Sequence, residues 1–304
     1  MTEVGYMAKG LKMIRAFKHG QIMEIEKLSK NDNGHIFCED LRCRTQIEYN
    51  SGYPIKSTNT VVAPYLKLAK GCEHVNGCQN SISGSVKVFV SDSSDIEDVP
   101  NIFESKGDGV FILRLNLLDK SKSELDDLID KTKDYSGASN RCKEYISTKK
   151  RLSSYCKSAT GIARIRSLVQ ESTDAKELES MIKIDFKGKQ VLWKDFFYDD
   201  DRYHVLHKRI SREVVEHPVA IRVTVKQTRS SKISTHPSST QCYSESKDGK
   251  YYIPWLNIHM DLDGLELKPK VPYIVLGNVT PSDKDVYKGL NFKIGNEKQI
   301  ARES

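Results

Sequence analysis

The chain has 304 residues, of which 38 % are hydrophobic and 29 % charged, with a formal net charge of +7. This balance argues against one large enzyme core and suits several small domains with much surface. No apolar run approaches the length of a membrane span, and the opening MTEVGYMAKGLK lacks the apolar stretch and cleavage site of a secretory signal, so a cytoplasmic protein is expected.

Residues 1–90 read as a β-rich zinc-binding module carrying 12 Lys/Arg against 8 Asp/Glu. Short extended runs at 20–25, 35–38, 45–49 and 61–67 are separated by Asn-Asp-Asn-Gly and Ser-Gly turn signals, and alternating apolar residues at 86–90 predict a closing strand. Within this segment Cys38-x4-Cys43 is followed about thirty residues later by His74-x3-Cys78. Two short-spaced pairs of soft ligands on either side of a polar loop are what a tetrahedral Zn2+ site requires. Four protein ligands leave no open position for substrate, so the ion's expected role is structural. His35 and Cys72 are rival ligands; His74 is favoured over Cys72 because its spacing to Cys78 mirrors the first pair. The seven cysteines are odd in number in a long chain, which argues against a disulfide scaffold.

A Ser/Asp-rich connection at 91–98 leads into a mixed, helical middle domain at 100–204, with 20 Lys/Arg against 22 Asp/Glu over residues 91–204. GVFILRLNL at 109–117 predicts a buried strand, and Ser123 with Asp126 resembles a capping-box helix start. From Ala138, apolar positions through Cys156 recur at helical spacing, with further helix predicted at 162–169 and 175–181. Segments 182–186 and 190–193, joined by Lys-Gly-Lys, read as a hairpin. The acidic run Asp199–Asp201 is expected to be a solvated boundary.

Residues 205–304, with 16 Lys/Arg against 11 Asp/Glu, predict a small all-β barrel of OB-like size. Val219, Ile221, Val223 and Val225 alternate, as do Leu290, Phe292 and Ile294, and Pro254 within YYIPWLNIHM suggests an edge or bulge. Barrels that hold single strands combine aromatic platforms with flanking cations. The candidates are Tyr251, Tyr252 and Trp255 with Lys226, Arg229, Lys232 and Lys293; on the competing reading Trp255 and Phe292 simply fill the core. The fold class expected for the whole chain is multi-domain α+β.

Ala16-Phe17-Lys18-His19-Gly20, then Ile36-Phe37-Cys38, Cys43, Tyr65-x-Lys67-Leu68 and Glu73-His74-x3-Cys78 follow one another along residues 14–80. In this order they resemble the N-terminal zinc-finger-like region of the competence protein CoiA-like family. The likeness implies a bacterial protein of DNA uptake, mobile elements or defence, often with a nuclease-like domain downstream that holds Mg2+ through a Glu-x-Lys. This chain has Glu104-Ser105-Lys106 and Glu245-Ser246-Lys247, both expected in polar turns and not in a pinning strand. His204 and His207 with Asp200 form a weaker metal candidate, exposed histidines being the simpler expectation. No phosphate-cradling, dinucleotide or zinc-protease motif occurs, so no catalytic residue is assigned. The leading expectation is a modular protein that associates with DNA or RNA, single strands preferred. A metal-dependent nuclease and a scaffold for a protein partner are the alternatives.

Overall fold

The computed structural model describes residues 10–55, 60–94, 102–131, 138–169, 172–229, 238–259, 262 and 265–303. It is a mixed α/β structure with six α-helices among the described residues and most of its strands at the two ends.

The N-terminal strands are β1 (Arg15–Lys18), β2 (Gln21–Glu24), β3 (Phe37–Cys38), β4 (Ile47–Asn50), β5 (Tyr53–Ile55), β6 (Thr60–Val62) and β7 (Tyr65–Leu68). They pair as a three-stranded sheet, β2-β1-β3, and two hairpin-like pairs, β4-β7 and β5-β6. Met13, Ala16, Ile36, Ile47, Leu66 and Leu68 close a small core that also contains Cys38 and Cys78.

The stretch expected as a closing strand at 86–90 is instead helix α1 (Ile82–Ser94). Its valines satisfy both a period of two and a period of four, and packing selects the latter. Ile82, Val86 and Val90 are buried while Val88 is 52 % exposed. The Ser81 hydroxyl accepts the Gly84 N–H at 3.0 Å, a hydroxyl cap that starts the helix. Each of the three buried side chains contributes about 1.5–3 kcal/mol of burial.

Next come β8 (Phe103–Gly107), β9 (Val110–Arg114), α2 (Asn116–Lys131), α3 (Ala138–Leu168), α4 (Ser172–Met181), β10 (Ile182–Phe186) and β11 (Lys189–Val191). The strand expected at 109–117 stops at Arg114, and the helix expected to begin near Ser123 begins at Asn116. The two helical stretches expected from Ala138 and at 162–169 are one continuous 31-residue helix. The hairpin β10–β11 forms as expected, with Lys187 at φ 53° and Gly188 at φ 80° in its two-residue turn. Together these strands make the sheet β11-β10-β9-β8, with β9 and β10 parallel.

The last elements are α5 (Trp193–Phe196), β12 (Phe197–Tyr198), α6 (Tyr203–Ile210), β13 (Val219–Arg229), β14 (Ser238–Cys242), β15 (Glu245–Lys247), β16 (Lys250–Ile258), β17 (Pro272–Gly277), β18 (Val279–Lys284), β19 (Tyr287–Ile294) and β20 (Ile300–Arg302). In place of the expected OB-like barrel there is a nine-stranded sheet whose path is β18-β19-β16-β14-β13-β17-β20, with β12 on β13 and β15 on β16. Among the described residues β18 and β20, the ends of that path, do not pair, so no barrel closes. Pro254 lies in an interior strand, not at an edge. It falls between the segments of β16 that pair with β14 and with β15, where that neighbour offers no ladder partner.

The first seven residues of β13, Val219–Val225, are buried on both faces. Val219, Ile221, Val223 and Val225 enter the core of the large sheet, while Ala220 packs with the middle helices, as do Ile274 and Leu276 of β17. On the same face as Ala220, Arg222 bonds Asp200 at 2.7 Å and Glu303 at 2.8 and 2.9 Å. Asp200 is therefore a buried partner, not part of a solvated run. Neighbouring Asp199 is lifted by burial to about 6.

The candidate metal centre and an exposed sheet face

Cys38 ends β3, Cys43 closes the turn that follows, and His74 and Cys78 lie in the loop between β7 and α1. The paired strands β1–β3 and β4–β7 hold the two halves together, with Ala16 opposite Cys38 and Cys38 N–H bonded to Thr45 O. One ligand atom from each of the four residues lies within 4.8 Å of every other. Cys38 Sγ is 3.7 Å from Cys78 Sγ, and His74 Nδ1 is 3.3 Å from Cys43 Sγ and 3.5 Å from Cys78 Sγ. A tetrahedral ion with bonds of about 2.3 Å to sulfur and 2.0–2.1 Å to nitrogen needs S···S edges of about 3.8 Å and S···N edges of about 3.5 Å. The observed spacings match those edges.

The chemistry of the donors fits as well. Burial pushes the Cys38 and Cys78 thiols above their usual range and pushes His74 down to about 4. The imidazole is therefore neutral, as a ligand must be, and a cation is what would hold the buried sulfurs as thiolates. His74 turns Nδ1 to the sulfurs, leaving its ring proton on Nε2, which is buried and, among the described residues, has no hydrogen-bond partner. The backbone of Gly10, at φ 70°, lies against this ring; a Cβ there would come within 2.9 Å of Cδ2.

His35 is exposed, and Cys72 packs beside the small core without joining the four-residue cluster. That cluster is the one group of three or more metal-ligating side chains among the described residues. Sequence reasoning missed Asn80, whose backbone N–H reaches Cys78 Sγ at 3.4 Å and whose amide reaches Cys38 Sγ at 3.3 Å. An amide donor two residues after a ligand cysteine is a local signal that spacing rules for the ligands alone overlook.

The centre is joined rigidly to α1. Ser81 donates to Cys78 O at 2.7 Å, and a Cβ on Gly84 would lie 2.0 Å from that same carbonyl oxygen. Gly84→Ala should gain at most about 1 kcal/mol of helix propensity and lose about 1–3 kcal/mol to the clash, because the obstacle is backbone. The expected result is a lower urea midpoint and weaker metal retention, read by denaturation and by competition with a chelating dye.

The other candidates separate by strand parity. On β16, Tyr252, Leu256 and Ile258 face the sheet core, whereas Tyr251, Trp255 and Asn257 alternate onto the opposite face. In register beside these lie Tyr287, Asn291 and Lys293 of β19, with Gln241 and Ser239 of β14. Tyr251 stacks on Tyr287, their rings 5.7 Å apart and inclined by 29°. Tyr252 instead sits edge-on to His204 and His207 and leaves the expected platform. Trp255 is half-buried, whereas Phe292 is wholly inside. Lys226 and Lys293 are exposed, Arg229 ends β13 in register with Ser239, and Lys232 falls outside the described residues.

Neither Glu-x-Lys lies in a turn. Glu104 and Lys106 pair at 2.9 Å on the exposed β8, and Glu245 is buried in β15. His204 gives its N–H and Nδ1 to Glu245, at 2.7 and 2.5 Å, and His207 is buried near Asp283, so neither histidine joins Asp200.

Fold and site together define a mixed α/β protein with a Cys3His cluster able to hold one metal ion and, among the described residues, no helix long and apolar enough to cross a membrane. Compared with known proteins, the chain matches no family model and no curated protein.

Proposed function

We propose that the chain is a modular nucleic-acid-associated protein, in which a structural Zn2+ shapes the N-terminal module and the outer face of the C-terminal sheet holds single strands. This open face takes the part expected of an OB-like barrel. One observation carries the reading: Tyr251, Tyr287 and Trp255 share a face with Lys293, and that face also presents the amides and hydroxyl of Gln241, Asn291 and Ser239, with Ile253 buried between the rings. Aromatic rings take unpaired bases by stacking, and neutral amides bond base edges without repelling phosphate. The likeness of residues 14–80 to the CoiA-like family supports a bacterial setting of DNA uptake, mobile elements or defence. A cytoplasmic location suits thiolate ligands, which need a reducing compartment.

Titration of the full chain with a fluorescent single-stranded oligonucleotide at two salt concentrations tests this. Trp255→Ala is expected to cost about 1–3 kcal/mol, roughly 5- to 150-fold in Kd, and Tyr252→Ala much less. No binding at low salt would remove the reading. Equal losses from Trp255 and Tyr252 would remove the assignment to this face.

A further inference from the structure

The three sulfurs of the metal centre are not equivalent. Cys38 and Cys78 are fully buried, and each accepts an N–H from Asn80, at 3.3 and 3.4 Å. Cys43 is only half-buried, and among the described residues its sulfur meets its co-ligands, His74 at 3.3 Å and Cys78, with no N–H from Asn80. An N–H···S bond withdraws charge from a thiolate, while exposure and undiminished thiolate character favour attack on electrophiles. Asn80 therefore shields one half of the centre and leaves the other open.

We propose that Cys43 is the redox-sensitive ligand of this centre, the thiolate that a hydroperoxide or other soft electrophile meets first, and that its oxidation releases the ion. The proposal rests on the reading that a metal occupies the cluster. The Cys43 thiolate attacks one peroxide oxygen; an S–O bond forms, the O–O bond breaks, and hydroxide leaves. Sulfur has then lost two electrons to the peroxide and is a sulfenic acid. The thiolate of Cys78, within 4.8 Å, attacks that sulfur. An S–S bond forms, the S–O bond breaks and a second hydroxide departs. Two of the four donors are thereby withdrawn. Because the Cys78 carbonyl is bonded to the residue that caps α1, the change is passed to that helix.

The test uses the full-length chain after elemental analysis. Limiting N-ethylmaleimide is added, labelled peptides are mapped by mass spectrometry over time, and released metal is followed with a chromogenic chelator. Cys43 is expected to react at least about tenfold faster than Cys38 or Cys78, with metal release keeping pace. Cys72 is expected to label without releasing metal. Hydrogen peroxide should yield a disulfide containing Cys43. Asn80→Ala, which retains all four ligands, should bring the rate at Cys38 towards that at Cys43. Equal labelling of the three ligand cysteines in the native chain, or metal release with Cys43 unmodified, would overturn the proposal. If Asn80→Ala retains metal and the Cys38 rate is unchanged, the shielding assigned to Asn80 is wrong. A chain that takes up no metal sinks the metal reading itself, a distinct result visible before any alkylation.

Discussion

Stripping metal from the full-length chain with a strong chelator at pH 7 is expected to unfold residues 10–80 and loosen α1, while the large C-terminal sheet stays folded. The N-terminal core is small, and two of its buried members, Cys38 and Cys78, belong to the cluster able to hold the ion. Structural zinc typically contributes about 10–16 kcal/mol to folding small modules at neutral pH, as much as the whole margin of an ordinary domain. Without a cation, the buried sulfurs return to neutral thiols and four donors in contact lose the charge that draws them together. Hydrogen exchange read by mass spectrometry should show lost protection in β3, β4 and β7 and retained protection in β13 and β17. Cys38→Ser should reproduce the effect without chelator and lower the metal content from about one ion per chain. His35→Ala and Cys72→Ser should leave that content unchanged. Protection in β4 that survives metal loss would contradict the structural role.

The second large effect is expected at Arg222. Its guanidinium lies in a buried fork, with Nε and Nη2 on the two oxygens of Glu303 and Nη1 on Asp200, each side chain about 8 % exposed. Tyr203 adds a hydroxyl bond to the Arg222 carbonyl at 2.7 Å, and Arg164 bonds the Glu303 carbonyl at 2.9 Å. Arg222→Ala would strand two carboxylates away from water and should cost about 3–5 kcal/mol in urea denaturation. Arg222→Lys should recover little, since an ammonium cannot form the bidentate pair. Replacing all three members together by apolar side chains of similar volume is expected to cost far less than the single alanine. A single-alanine cost under about 1 kcal/mol would mean that water screens this cluster, contrary to its burial.

That Cys38, Cys43, His74 and Cys78 would come together was legible in the sequence because residue type and short spacing are local properties. So were the hairpin at Lys187-Gly188 and the alternation of β13 and β19. Helix α1 was ambiguous: Val86-Lys87-Val88-Phe89-Val90 fits either period, and the deciding features were Ser81 as cap and Ile82 one turn before Val86. The burial of Asp200 had a signal in its partner, an arginine at the opposite parity inside the apolar run Val219–Val225. The open sheet had no such signal, because β16 pairs in parallel with β19 across two intervening strands. Nothing in either segment specifies that choice; it depends on which edges remain once β17 and β18 have found their places. Tyr252 was separable from Tyr251 and Trp255 by simple alternation with Leu256 and Ile258.

The bridge from Leu11 to Val169 and the bonds from Arg222 to Glu303 carry a consequence for the order of events during synthesis. The knuckle formed by Cys38 to Cys78 needs only nearby chain, so it can capture its ion while translation continues. The large sheet needs β20 to pair with β17, and Arg222 needs Glu303 for its bidentate bond, so both must wait until residue 303 has been made. Contacts between such distant partners are slow to form. Until they do, the edge of β17 that β20 covers would be open, and nascent chains would be most prone to self-association in that interval.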